Sequence, residues 1–179
     1  MSERYVFTPG GIRRLNRRIR EVRAAYQEVC DDNPAALESG DTSGWHDNFA
    51  FEENQRKMHQ LARRVRDLEL IQARAEEVPV LVEEPERAWL GASVTWSFED
   101  EPDAHRSVWI AGYEDGEPGL GRVSYNSPLG SALVGAEEGE ERKLVLDGRE
   151  RRIEVLCVGP TPPGADDLDD ASEASCAAG

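Results

Sequence analysis

The sequence predicts an α+β protein: an N-terminal antiparallel coiled-coil hairpin followed by a small β-rich domain. Three observations carry this. Two stretches repeat apolar residues at alternating steps of three and four, the signature of helices that bury one seam. From about residue 90 the pattern changes to short β-like runs bounded by Gly, Pro and Asp turns. Charge also divides unevenly: residues 1–78 hold 13 basic and 14 acidic side chains, and residues 79–179 hold 8 and 22. Two electrostatically different halves point to two domains.

The first helix is expected to start after Thr8, a capping residue, with Pro9 at the first helical position, where a missing N–H costs nothing. Its seam is Ile12, Leu15, Ile19, Val22, Tyr26 and Val29. Asn33-Pro34 should interrupt it, and residues 35–38 can add one further turn. The second seam runs Phe51, Met58, Leu61, Val65, Leu68 and Gln72. Neither helix can bury its seam alone, so each requires the other. The hairpin is placed at residues 1–78, with an acidic tip near 38–53. An arm of about 25–28 residues, at about 1.5 Å per residue, would span about 40 Å.

EEVPVLVEEPERAWLG reads as a linker into strands. SVTWSF, SVWIAGY, GRVSYN, RKLVLD and RRIEVLCVG read as the strands of a domain at 79–159. Between them, SPLGSALVGAEEGE is expected to form a short helix that ends at Gly135. The last stretch, 160–179, lacks periodicity and bulky apolar groups apart from Leu168, and is expected to be a disordered acidic tail.

Composition excludes several functions. A net charge of −15 opposes general nucleic-acid binding, which needs clustered Lys and Arg on phosphates; no independent DNA binding is expected. Cys30, Cys157 and Cys176 have neither disulfide-framework nor metal-ligand spacing. With no 18-residue apolar run and no signal-peptide core, the expectation is a soluble cytoplasmic monomer without membrane association. No nucleophile elbow, P-loop or dinucleotide fingerprint occurs, so no free-standing enzyme is expected.

Charge is sorted along the hairpin. Arg13, Arg17 and Arg20 lie near the base of the first arm, and Arg56 and Arg63 on the second. Between Arg23 and Arg56 there is no Lys or Arg, only eight acids, among them Asp41 and Asp47. Such a cluster can be a merely solvated tip. Alternatively, its carboxylates suit a hard divalent cation such as Mg²⁺, often held by one or two protein carboxylates plus other ligands. His46 and Trp45 read as surface loop residues, and Gly40 and Gly44 serve the turn. The arginines can contact phosphates or merely flank the seam.

Three stretches resemble the Gre-type transcript cleavage factors of bacterial RNA polymerase. TPGGIRRLNRRI resembles the family's opening. GDTSGWHDNFAF resembles its hairpin tip, Gly-Asp-x-x-Glu-Asn-x-x-Tyr. NSPLGSALVGAEEGE resembles its Asn-Ser-Pro motif. The resemblance covers about residues 5–158. It implies a coiled coil that enters the polymerase secondary channel and an FKBP-like C-terminal domain that docks at the channel mouth. It further implies two tip acids that help hold the second catalytic Mg²⁺, shared with the polymerase and not bound stably by the factor alone. The polymerase would then cut backtracked RNA, so the nascent 3′ end is contacted only indirectly.

Carried over by position, Gly40 with Asp41 matches Gly-Asp, Asp47 with Asn48 matches Glu-Asn, and Phe51 matches the Tyr. Asn126, Ser127 and Pro128 would shape a turn and a polymerase-docking surface. The tip departs from the family in one respect: its acids are six residues apart instead of three, and Asp replaces Glu. If Asp47 keeps its register, the first acid's place falls on Gly44. Three readings follow: a cleavage-stimulating factor using Asp41 and Asp47, a channel-binding regulator or inhibitor without cleavage, or a coiled-coil adaptor whose acidic tip binds a basic surface.

Overall fold

The computed structural model describes residues 4–31 and 48–168. It is an α+β chain with two long helices and a sheet. Contacts divide it into two compact units, Leu15–Arg74 and the combination of Met1–Arg14 with Ala75–Gly179.

In the helical unit, α1 (Pro9–Asp31) and α2 (Asn48–Ala73) are 23 and 26 residues long, about 35 and 39 Å at the helical rise of ~1.5 Å. Leu15, Ile19 and Leu68 are buried, and Val22, Tyr26, Val29, Phe51, Met58, Leu61 and Val65 are half-buried. The apolar stripes therefore face inward, as their spacing requires. Gln72 is exposed. Its Nε2 donates to Asn16 Oδ1 at 2.5 Å, so the seam ends in a polar pair. Arg23 Nε donates to Glu69 at 3.2 Å, and Asn54 Nδ2 to the Val29 carbonyl at 3.4 Å. Early α1 thus meets late α2, and late α1 meets early α2: the two helices run antiparallel.

The other unit is built on a five-stranded sheet in the order β5-β4-β3-β7-β6. Its strands are β3 (Ser93–Phe98), β4 (Glu101–Ala111), β5 (Arg122–Ser124), β6 (Glu141–Leu146) and β7 (Arg149–Gly159). All pairs are antiparallel except β4–β5. Val94, Trp96, Phe98, Ile110, Leu144, Ile153 and Val155 form the core, with Leu133 of the short helix α3 (Pro128–Leu133). After α3 the chain turns at Gly135, whose φ of +77° favours a residue without a Cβ.

Several boundaries differ from those the sequence suggests. Residues 4–14 and 75–78 group with the sheet and not with the helical unit. Their link is a parallel pair of β1 (Tyr5–Phe7) with β2 (Ala75–Glu77), extended by Val78 N–H to the Phe7 carbonyl at 2.8 Å. Tyr113 N–H also reaches the Val6 carbonyl at 3.0 Å. Strand β4 starts at Glu101, inside a charged stretch without alternation. Residues 160–168 are not a free tail: Ala165 and Asp166 are buried, because Ala165 packs with Trp109 and Ala111 and Asp166 finds polar partners. Among the described residues, no helix is long and apolar enough to cross a membrane.

Candidate functional site

The first candidate is the segment between α1 and α2, where the sequence places the acidic tip. Gly40, Asp41, Gly44 and Asp47 lie outside the described residues, as does the side chain of Asn48, the first residue of α2. Phe51, half-buried, begins the α2 seam. Three residues on, Asn54 ties α2 to the end of α1 through the Val29 carbonyl, a contact that no sequence period announced. Glu52 and Glu53 lie within 3.8 and 3.3 Å of Arg56 and Lys57, one turn on. Among the described residues, no group of three or more His, Cys, Asp or Glu could hold a metal.

The expected arginine contacts fall into two groups. Arg13 is spoken for by Asp167, at 2.5 Å on the surface; Arg17 lies 3.9 Å from Glu21 and Arg56 3.8 Å from Glu52. Arg20 and Arg63 are exposed, and among the described residues neither has an ion-pair partner within 4 Å.

The Asn-Ser-Pro motif is resolved in full. Ser127 caps α3: its Oγ accepts from Gly130 N–H at 3.0 Å, and Pro128 occupies the position where no N–H is needed. Asn126 Oδ1 accepts from Glu114 N–H at 3.1 Å and from the Ser124 hydroxyl. Glu114 has a φ of +49°, uncommon for a residue with a Cβ. Asn126 therefore clamps a strained turn while Ser127 starts a helix. Asn126 and Pro128 are exposed and Ser127 is half-buried, so the motif lies at the surface while its polar groups bond within the fold. That surface has aromatic character. Tyr113 lies 4.4 Å from Tyr5 and 6.3 Å from Tyr125, ring centre to ring centre. Val6, Trp89, Leu90, Tyr125 and Val134 line an apolar pocket, and Trp89 is 54% exposed. Tyr125 could have been found as the motif's neighbour; Trp89 and Tyr5 carry no such signal.

Residues 83–160 match the family described as transcription elongation factor GreA/GreB, C-terminal. A transcription elongation factor GreA of Brucella anthropi is 29% identical over 155 residues, which cover 86% of this chain and 96% of that protein. GreA of Paracoccus denitrificans is 28% identical, over 87% of this chain and 97% of its own. Residues 83–160 are thus similar to the C-terminal part of Gre factors, and GreA proteins are similar to this chain over most of its length. Among solved structures, the GreA factor homolog 1 of Thermus thermophilus is 22% identical and covers 87% of this chain and 99% of its own, at a TM-score of 0.41. So loose an overlap fixes nothing further. The matched segment coincides with the sheet, α3 and the Asn-Ser-Pro turn, whereas α1 and α2 lie outside it.

Proposed function

We propose that this chain is a Gre-type elongation factor that binds RNA polymerase through its secondary channel and stimulates cleavage of backtracked RNA. In this reading the antiparallel helices are a coiled-coil hairpin that enters the channel, and the β-rich unit is an FKBP-like domain that docks at its mouth. Asn126, Ser127 and Pro128 hold the docking surface in shape, with Trp89 and Tyr125 beside it. Arg20 and Arg63 are free to meet phosphates or acidic channel residues. The observation that carries the reading is likeness to GreA over nearly the whole length of those proteins, together with two antiparallel helices where the hairpin is expected.

Asp41 and Asp47 would present their carboxylates at the tip, backed by Gly40, Gly44, Asn48 and Phe51. They fit a hard cation by donor chemistry, since Mg²⁺ takes oxygen ligands. When bound at the polymerase's active site, a second Mg²⁺ supplies activation of water and stabilisation of the leaving oxygen. The chain's own part is to place negative oxygens, so it is a cofactor of the polymerase's cleavage and not a nuclease.

One observation favours a second reading. Asp41 and Asp47 are six residues apart, where the family pattern has three. Carboxylates that miss a common ligand position by more than about 0.5 Å cannot share an ion. The factor would then occupy the channel and regulate without cleavage.

Stalled, backtracked complexes separate the two. On the first reading, saturating protein accelerates release of 3′ RNA fragments, and Asp41→Ala and Asp47→Ala each abolish the acceleration while leaving polymerase binding intact. Binding without any acceleration would eliminate the first reading in favour of the second. Failure to bind core polymerase would sink both.

A further inference from the structure

Residues 161–168 lie beyond the family-matched segment, yet they are bound at both ends. At one end, Thr161 Oγ1 donates to the Gly91 carbonyl at 2.7 Å and accepts from Leu81 N–H at 3.0 Å. At the other, the Asp166 carboxylate reaches back to the first turn of α1. Its Oδ2 accepts from Gly10 N–H at 2.7 Å, and its Oδ1 accepts from the Thr8 hydroxyl. Thr8 Oγ1 also accepts from Gly11 N–H at 3.1 Å. The orphan donors of this helix start are thus shared between a local cap and a remote one. Negative charge there is favoured by the helix dipole as well as by the hydrogen bonds.

Beneath this contact lies a buried ionic pair. Arg14 Nε and Nη2 grip Asp115 Oδ1 and Oδ2 at 2.7 and 2.6 Å, a forked pairing of the strong kind. Arg14 Nη1 donates to the carbonyls of Asp166 and Leu168 at 2.8 and 3.1 Å, and Arg122 Nη1 donates to the Leu168 carbonyl at 3.0 Å. The side chains of Arg14, Asp115 and Arg122 are 5%, 6% and 1% exposed. Gly10 admits the segment: a Cβ there would lie 1.8 Å from the Asp166 carbonyl oxygen.

We propose that residues 161–168 form a latch that opens and closes on the root of α1, with Asp166 as its bolt. The segment adds no strand to the sheet, so its release breaks no ladder. Release returns the Asp166 carboxylate, Thr8 hydroxyl and Gly10 N–H to water. It also parts the Asp166 carboxylate from Arg14 Nη2, 3.6 Å away, and leaves Asp115 to serve both Arg14 and Arg122, a cost that favours the closed latch. Closed, the latch ties the first turn of α1 to the sheet-bearing unit; open, that turn is held mainly by the Arg14–Asp115 fork. Such local openings are the ordinary low-energy excursions of a native protein.

Hydrogen exchange followed by mass spectrometry on the full chain tests this, with Asp166→Asn, Gly10→Ala and the control Asp167→Asn. Asp166→Asn removes the bolt's charge. Gly10→Ala keeps every charge, favours helix and blocks the seat. In both, residues 8–14 and 161–168 should exchange about tenfold faster or more, the loss expected for a charge-assisted hydrogen bond, with β3 and β7 unchanged. Asp167, exposed and paired with Arg13, should have no such effect when changed. The latch does not exist if either test variant leaves 161–168 as protected as in the parent. It is equally refuted if β3 and β7 lose protection by the same factor, since the segment would then be one with the core.

Discussion

Arg151 serves two neighbours at once. Its guanidinium carbon lies 3.4 Å from the centre of the Phe98 ring, and its Nη2 donates to Asp100 and Glu101 at 2.6 and 3.0 Å. Arg106 also approaches Phe98, at 4.8 Å, and donates to Glu101 at 2.7 Å. The cations are drawn to the ring face and the carboxylates hold them there. Asp100 is held below its ordinary carboxyl range chiefly by the Arg151 hydrogen bond; Glu101 is lowered first by Arg106 and then by Arg151. A depressed native value means stabilisation present above the ordinary range, from about pH 5 upward, and lost as pH falls through the native values. In Arg151→Gln, an NMR titration of the side-chain carboxyls should show Asp100 rising toward its ordinary value and Glu101 rising less, because Arg106 remains. Equal movement of the two would show that the attribution to Arg106 is mistaken. Burial of Phe98 could be read from strand alternation. The Arg151 partnership could not, since nothing local pairs positions 98 and 151.

Among the elements, α3 depends most on its ends. With six residues it is too short to persist on propensity alone, so its cap and its close approach to β5 decide whether it forms. Ser127→Ala removes the acceptor for Gly130 N–H and should cost about 1 kcal/mol. Gly130→Ala would ordinarily gain about 1 kcal/mol from helix propensity. Here the added Cβ would lie 2.0 Å from the Ser124 carbonyl oxygen, backbone that cannot swing aside, so the sign reverses. Urea denaturation of the full chain should place both variants below the parent, with Gly130→Ala the lower; a more stable Gly130→Ala would mean the contact is loose. This motif was legible in the sequence because cap and turn use neighbours. The long helices were legible too, since each carries its seam over five turns or more. Strands β1 and β2 were not: YVF and AEE are too short to show a period, and they pair across some seventy residues. The buried part of 160–168 was missed for a related reason. Its acidic, Pro-rich composition reads as solvated, and its burial depends on Thr8, Gly10 and Arg14, about 150 positions earlier. Of the candidate site, sequence supplies the tip acids and the Asn-Ser-Pro turn, but not which arginines stay free of partners.

At the scale of the whole molecule, the chain leaves one compact unit after Arg14 and returns to it at Ala75, so the helices are an insertion in the sheet-bearing unit. Each has its own apolar interior: Leu68, 1% exposed, in the helical unit, and Leu144, also 1% exposed, under the sheet. Truncating either to Ala should cost about 2–5 kcal/mol. Whether that loss is felt locally or everywhere depends on how cooperatively the two units unfold. The interior residues that decide it belong to different clusters, so the expectation is local. Helical circular dichroism weights α1 and α2, whereas fluorescence in a Trp45→Phe background reports Trp89, Trp96 and Trp109 of the other unit. Leu68→Ala should lower the midpoint seen by dichroism more than that seen by fluorescence, and Leu144→Ala should do the reverse. If both probes move together in both variants, the insertion and its host fold as one, and the root of α1 transmits stability across Arg14 instead of marking a boundary. On the proposed reading, in which the helices enter another protein and the sheet-bearing unit docks on it, the local outcome is an advantage, because changes in the helices would leave the docking unit intact.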